Sequence, residues 1–247
     1  MIERVLSSAR LPTLPAVALR VIELSGRSDV SLREIADTIQ NDQALAAKVL
    51  KTVNSSYYGL SQRCSTISQA MVALGLTTVK TVALGFSLIQ GMGADKDDGF
   101  DYESHWRRSL LGATGARVFA ELAGVGDPEE MFLAGLLMDV GVLAMSRGLG
   151  EEYAEVARTA GSRHGVLAAM ERDAFGVDHA EIGAMLAETW RLPASLVDPI
   201  KGHADPSLCA TEHQVAARCV ALGALAADAM MSRADRCGLD EYREAVR

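Results

Sequence analysis

Residues 131–146 read MFLAGLLMDVGVLAMS, and Asp139 is the one charged residue among them. The spacing is helical, with Phe132, Leu136, Val140 and Leu143 on one face and Ala134, Met138, Val142 and Met145 on another. A helix that is apolar on every side belongs in a protein core. Asp127, Pro128, Glu129 and Glu130 start it, supplying an N-cap acid, a proline suited to the first turn and two acids at the positive end of the helix dipole. The stretch is therefore expected to be one continuous core helix with a buried carboxylate at Asp139. Such a carboxylate needs a cation, hydrogen-bond donors, a metal or a proton beside it. The identity of that partner is the functional question.

On either side, the chain reads as helices alone. Val17, Ala18, Val21 and Ile22 give a first helix ending near Gly26, and Ser31 with Glu34 forms a capping box for a second through Leu32, Ile35, Ala36 and Ile39. Asn41-Asp42 caps a third along Leu45, Ala46, Val49, Leu50 and Val53, after which Asn54-Ser55-Ser56-Tyr57-Tyr58-Gly59 breaks the pattern. Thr66 with Gln69 opens a fourth helix ending at Gly75, and a fifth follows from Thr77. The glycine- and charge-rich run at 91–99 marks a boundary. Beyond it a long helix is expected from Tyr102 to Leu122, then the central helix, and further helices near 150–160, 164–175, 178–190, 194–202 and 212–232. No useful β alternation occurs. The fold class predicted is all-α: a compact multi-helix bundle with an N-terminal five-helix subdomain (1–92), a linker (93–100) and a helical C-terminal subdomain (101–247).

Composition narrows the function classes. The 247 residues, 49% of them apolar, suffice for a real core. The formal net charge of −8 argues against general nucleic-acid binding and against anionic membranes, which attract basic surfaces. No uncharged run supplies the ~20 apolar residues of a membrane span; Lys80 divides the longest candidate, Met71 to Ile89. Cys64, Cys209, Cys219 and Cys237 form no C-x-x-C pair, read as small hydrophobes and fit a reducing cytoplasm. No basic lead with an apolar signal core opens the chain.

The five histidines, His105, His164, His179, His203 and His213, form no local catalytic motif, and no phosphate loop or nucleophile elbow is present. A helical bundle can still assemble a metal site from distant residues. The order WRRS (106–109), AGLLMDVG (134–141), DHAEIGAMLAETWRLP (178–193), IKGH (200–203) and AAD (226–228) resembles the HD phosphohydrolase superfamily, including its HD-GYP branch. In that superfamily a His, a His-Asp dyad, further His residues and a late Asp bind metal. Two positions depart: Arg108 stands where the resemblance implies the first His, and Met138 stands in place of the dyad His. A guanidinium cannot ligate a metal, and a thioether is a poor ligand for the ions such hydrolysis uses. Asp139, His179, His203 and Asp228 remain as an incomplete set.

The N-terminal half points to the branch. LPTLPAV (11–17), IQNDQALAAKVLKTVNSSYYG (39–59) and ISQAMVALG (67–75) are similar to the HDOD family, the HD-related output domain, and the resemblance runs from about Leu11 to Met231. Gln43 departs from the proline usual there. The resemblance implies a helical regulatory module of bacterial signalling with no established catalytic activity, working through protein contacts; no receiver, EAL or GGDEF segment is attached, so a stand-alone partner is expected. The expectation is thus a cytoplasmic module with no catalytic residues, no metal and no cofactor, a signalling protein as partner, no membrane, and degenerate site positions Arg108, Met138, Asp139, His179, His203 and Asp228. Arg108 has two readings, a solvated charge or a counter-ion for Asp139 in place of the metal. Asn54, Ser55, Tyr57 and Tyr58 read either as a tied-down helix end or as an exposed interaction loop, and Trp106 and Trp190 as core. The alternatives are a metal-dependent phosphohydrolase acting on nucleotides or cyclic dinucleotides with unusual ligands, and a nucleotide or small-molecule sensor that keeps the cleft.

Overall fold

The computed structural model describes residues 1–8, 11–25, 31–56, 58–92, 100–161 and 164–231, and these contain helices and turns but no strand. The contacts divide the chain into Thr13–Ala94 and a second unit made of Met1–Pro12 with Asp95–Arg247. Of the predicted linker 93–100, only Phe100 lies within the described residues, as a non-helical residue.

After the short α1 (Ile2–Leu6), the unit Thr13–Ala94 carries α2 (Ala16–Ser25), α3 (Leu32–Gln40), α4 (Gln43–Val53), α5 (Ile67–Leu74) and α6 (Leu76–Met92). The caps are those the residue types favour. Ser31 accepts from the Glu34 amide, Asp42 from the Leu45 amide, and Thr66 and Gln69 satisfy each other's backbone reciprocally. Leu24, Ile35, Ile39, Leu45, Val49, Val53 and Ile67 fill its core. Asn54 is tied into this unit: its amide donates to the Leu50 and Cys64 carbonyls at 2.8 Å and accepts from the Cys64 N–H at 2.8 Å. It serves as a helix-end clamp rather than a free recognition group. Ser55 and Tyr58 are half-buried beside it, and Tyr57 lies outside the described residues.

The second unit contains α1, α7 (Tyr102–Ala123), α8 (Pro128–Leu137), α9 (Val140–Leu149), α10 (Glu151–Ala160), α11 (His164–Phe175), α12 (His179–Thr189), α13 (Ala194–Lys201) and, after two 3-10 turns, α14 (Gln214–Met231). Helix α1 is absent from the sequence-based expectation, because five residues are too few to show a period. It belongs here rather than with the N-terminal helices. Val5 is fully buried against Gly148 of α9, and Arg4 pairs with Glu152 at 2.9 Å. Trp190 is buried as expected, while Trp106 is only half-buried.

Helix α7 is the axis of this unit, packing along α8 on one side and α14 on the other. Small residues permit the approach: a β-carbon on Gly115 would stand 2.9 Å from Cα of Gly223, and one on Gly135 would stand 2.8 Å from Cα of Ala113. The predicted single helix over 131–146 is in fact two. Helix α8 stops at Leu137, Met138 and Asp139 form a turn, and α9 begins at Val140 with Asp139 at its N-cap. The Val142 amide bonds the Asp139 carbonyl at 3.0 Å, a tightened turn in place of the regular ladder. No proline marks this break, and the groups that hold Asp139 come from other helices. By length and mean hydropathy, the stretches Pro128–Leu149 and Thr211–Met231 would suffice to cross a membrane, with 78% and 39% of their windows buried in the protein. A core helix passes the same test.

Gly141 seats α9 against α12, where a β-carbon would overlap the carbonyl oxygen of His179. Helix propensity alone predicts that Gly141→Ala stabilises by about 1 kcal/mol. The contact instead predicts a loss of about 3 kcal/mol, because backbone meets backbone and neither can yield. Urea denaturation of the two proteins reads the sign directly.

Candidate functional site

Four elements of the second unit bring the predicted positions together. Helix α7 carries Arg108, the α8–α9 turn carries Asp139, α12 begins with His179, and α14 carries Asp228 in its last turn; His203 follows α13. All five are buried. Arg108 bridges the two acids, its Nη1 donating to Asp139 Oδ2 and its Nε to Asp228 Oδ1 at 2.8 Å. The guanidinium is thus a paired internal cation and not a solvated surface charge. Met138 does not join the group. It is fully buried and packs against Gly112, one turn along α7 from Arg108.

The second oxygen of Asp139 faces the imidazoles. Oδ1 lies 3.7 Å from His203 Nε2, 3.8 Å from His179 Nε2 and 4.0 Å from His164 Nε2, and it is buried without a hydrogen-bond partner. The His179 and His203 Nε2 atoms are 3.1 Å apart. Each ring is oriented from behind: His203 Nδ1 faces the Ile200 carbonyl at 2.7 Å, and His179 Nδ1 faces Glu171 Oε2 at 2.6 Å. Glu171 also accepts from the His179 backbone amide at 2.8 Å and from the Tyr153 hydroxyl at 2.6 Å. Asp139, His179 and His203 are close enough for one metal ion to bind all three.

Burial alone would raise the Asp139 pKa, but Arg108, with His164, His203 and His179 behind it, holds the carboxyl well below the usual carboxylate range. Burial pushes Asp228 up, with Arg108 opposing. His179 is penalised by burial yet raised by Glu171, whereas burial pushes His203 down to about 4. His105, one turn before Arg108, is also brought to about 4 by burial. Two cavities flank the group, of about 330 and 800 Å³, and Arg108, His164 and Asp228 line both.

Sequence reasoning did not assign His164, Glu171 or Tyr153 to this site. Glu171 carried a signal, since it falls in register with Leu167 and Ala168 on the buried stripe of α11, where a carboxylate is out of place. His164 carried none beyond its residue type.

Arg108→Ala would leave Asp139 and Asp228 buried without their cation, and a loss of about 3–5 kcal/mol at neutral pH is expected. The sign of its pH dependence follows. In the wild type, the depressed Asp139 pKa contributes stability above the unfolded value, and this is lost only as pH falls through the lower folded value. In the variant, the largest opposing charge is gone and burial favours the protonated acid, so the penalty is relieved as pH falls. The stability gap between the two proteins should narrow from pH 7 towards pH 4, measured by urea denaturation at each pH.

Comparison with known proteins now bears on this geometry. A Geobacter sulfurreducens HDOD domain protein of unknown function is 29% identical, with 92% of this chain and 75% of that one covered and a TM-score of 0.74. A Shewanella amazonensis SB2B protein described as a candidate phosphohydrolase is 26% identical, with 96% and 87% covered and a TM-score of 0.76. A protein of uncharacterised function from Treponema pallidum (strain Nichols) is 27% identical over 201 residues, covering 78% of this chain; the chain spans 37% of that relative's length. The family model for the HDOD domain matches residues 11–206, and with the all-helical fold this places the chain in the HDOD domain family.

Proposed function

We propose that the chain is a regulatory module of bacterial signal transduction, working in the cytoplasm through contacts with a protein partner and hydrolysing no phosphoester. The observation that supports this reading is the position of Arg108. It stands where the HD pattern calls for a histidine ligand, and it engages both Asp139 and Asp228. Metal-assisted phosphoester hydrolysis needs ions to activate water and to clamp the reacting oxygens. A permanently charged guanidinium in that position repels such an ion and occupies its acids. Met138, packed in the core, supplies no replacement ligand. Membership of the HDOD family supports the same reading.

The relative described as a candidate phosphohydrolase defines the opposing outcome. The purified chain, given Mn²⁺, Mg²⁺ or Zn²⁺, is expected to turn over neither bis(p-nitrophenyl) phosphate nor a cyclic dinucleotide above the protein-free control. Turnover that disappears in Asp139→Asn would overturn the proposal.

One observation favours a second reading, that of a small-molecule sensor. The cavity of about 800 Å³ beside Arg108 has the size of a ligand site and mixes Ser104, His105, Tyr153 and Arg158 with Phe100 and Val142. If that reading holds, saturating cyclic dinucleotide or mononucleotide raises the Tm of the wild type, and Ala154→Trp in the cavity wall abolishes the rise. No shift with any of them would count against it.

A further inference from the structure

Helix α7 buries one side and leaves the other bare. Arg108, Gly112, Ala116 and Ala120 lie on the buried side, whereas Arg107, Leu110, Thr114, Val118, Glu121 and Leu122 are exposed. At 3.6 residues per turn, Arg107, Leu110, Thr114, Val118 and Glu121 fall within about 40° of one line along the helix. Leu110 is 50% exposed and Leu122 78%, so the bare side holds a strip of apolar residues and not a single scattered one. The Thr114 hydroxyl at its centre is already satisfied, donating to the Leu110 carbonyl at 2.9 Å.

The strip is complementary to itself when turned end over end. Arg107 stands seven residues before Thr114 and Glu121 seven after it, while Leu110 stands four before and Val118 four after. A half-turn about Thr114 therefore sets cation against anion and apolar residue against apolar residue. At 1.5 Å per residue the two charges lie about 21 Å apart along the helix, too far to pair within one chain. Among the described residues neither Arg107 nor Glu121 makes an ion pair.

We propose that this face of α7 binds a second copy of the chain, the two α7 helices packing antiparallel about a two-fold axis at Thr114. Each Arg107 then meets the second copy's Glu121, and each Leu110 the second copy's Val118. A two-fold contact uses one surface twice, so that surface must carry both members of every pair, placed symmetrically about the axis. The strip on α7 meets this condition, which an unrelated partner would not impose. Nucleic acid or anionic lipid would gain from Arg107 but be repelled by Glu121. A contact along one helix is smaller than the interface of about 1,600 Å² that holds stable complexes, so the dimer belongs to the weak and reversible class. The inference goes beyond the regulatory reading and does not depend on it, since the strip lies outside the buried group around Arg108.

Sedimentation equilibrium of the full chain, carried up to about 100 μM to reach weak contacts, should show monomer and dimer in equilibrium. Arg107→Glu and Glu121→Arg each set like charges against one another at both ends of the contact, and each alone should weaken dimerisation by about 10-fold or more. Mixed in equal amounts, the two variants should associate with each other, because both charge pairs are then restored. If either variant fails to fold, a disulfide decides. Residues on the axis of two packed helices come within disulfide reach, so Thr114→Cys in a Cys237→Ser background should cross-link on oxidation. Cys64, Cys209 and Cys219 are buried, and Val72→Cys, at an 84% exposed position on α5, should stay uncrosslinked. A chain that remains monomeric at that concentration, a dimer that neither charge reversal weakens, folded variants that do not associate on mixing, or Thr114→Cys that cross-links no better than Val72→Cys would each overturn the proposal. Hydrolysis assays test the other reading separately, so the two can fail independently.

Discussion

One guanidinium joins three parts of the chain that lie far apart in sequence. Arg108 on α7 reaches Asp139, 31 residues on, and Asp228, 120 residues on, and all three side chains are buried. Taking a charge out of water costs several kcal/mol, and the attraction of its partners offsets this only when the geometry is good. Such a group is therefore a constraint before it is a source of stability. Losing any one member strands the others, and the rest of the unit must place α7, the α8–α9 turn and α14 so that they meet.

The packing accomplishes this through small residues. Gly115 and Gly223 let α7 and α14 approach backbone to backbone, and Gly141 does the same for α9 and α12. The second approach brings His179 to the face of Asp139 opposite Arg108. Asp139 consequently sits between two networks, with one oxygen committed to the guanidinium and the other turned to the imidazoles that Glu171 and the Ile200 carbonyl hold in place. The helix break at Met138-Asp139 frees the carboxylate for both tasks, since a residue at an N-cap is less confined by neighbouring turns than one in mid-helix.

Much of this was legible in the residues. Helix starts at Ser31, Asp42, Thr66 and Asp127 follow from capping chemistry, which is local and readable. Burial of Asp139 followed from an apolar helix with a single charge. The break at Asp139 was not legible, because the apolar period runs through it undisturbed. Helix α1 was too short to show a pattern, and its placement depends on Val5 meeting Gly148. His164 and Tyr153 enter the site through tertiary packing alone, while Glu171 was visible as a charge in an apolar stripe.

The central claim is that Arg108 neutralises Asp139 inside the fold. Carbon-13 NMR of the aspartate side-chain carboxyls, followed as pH is lowered through the range in which the protein stays folded, tests it most directly. The claim predicts that the Asp139 resonance stays at its ionised position at and below the ordinary aspartate value of about 3.9. An Asp139 carboxyl that titrates at that value, or above it, would contradict it.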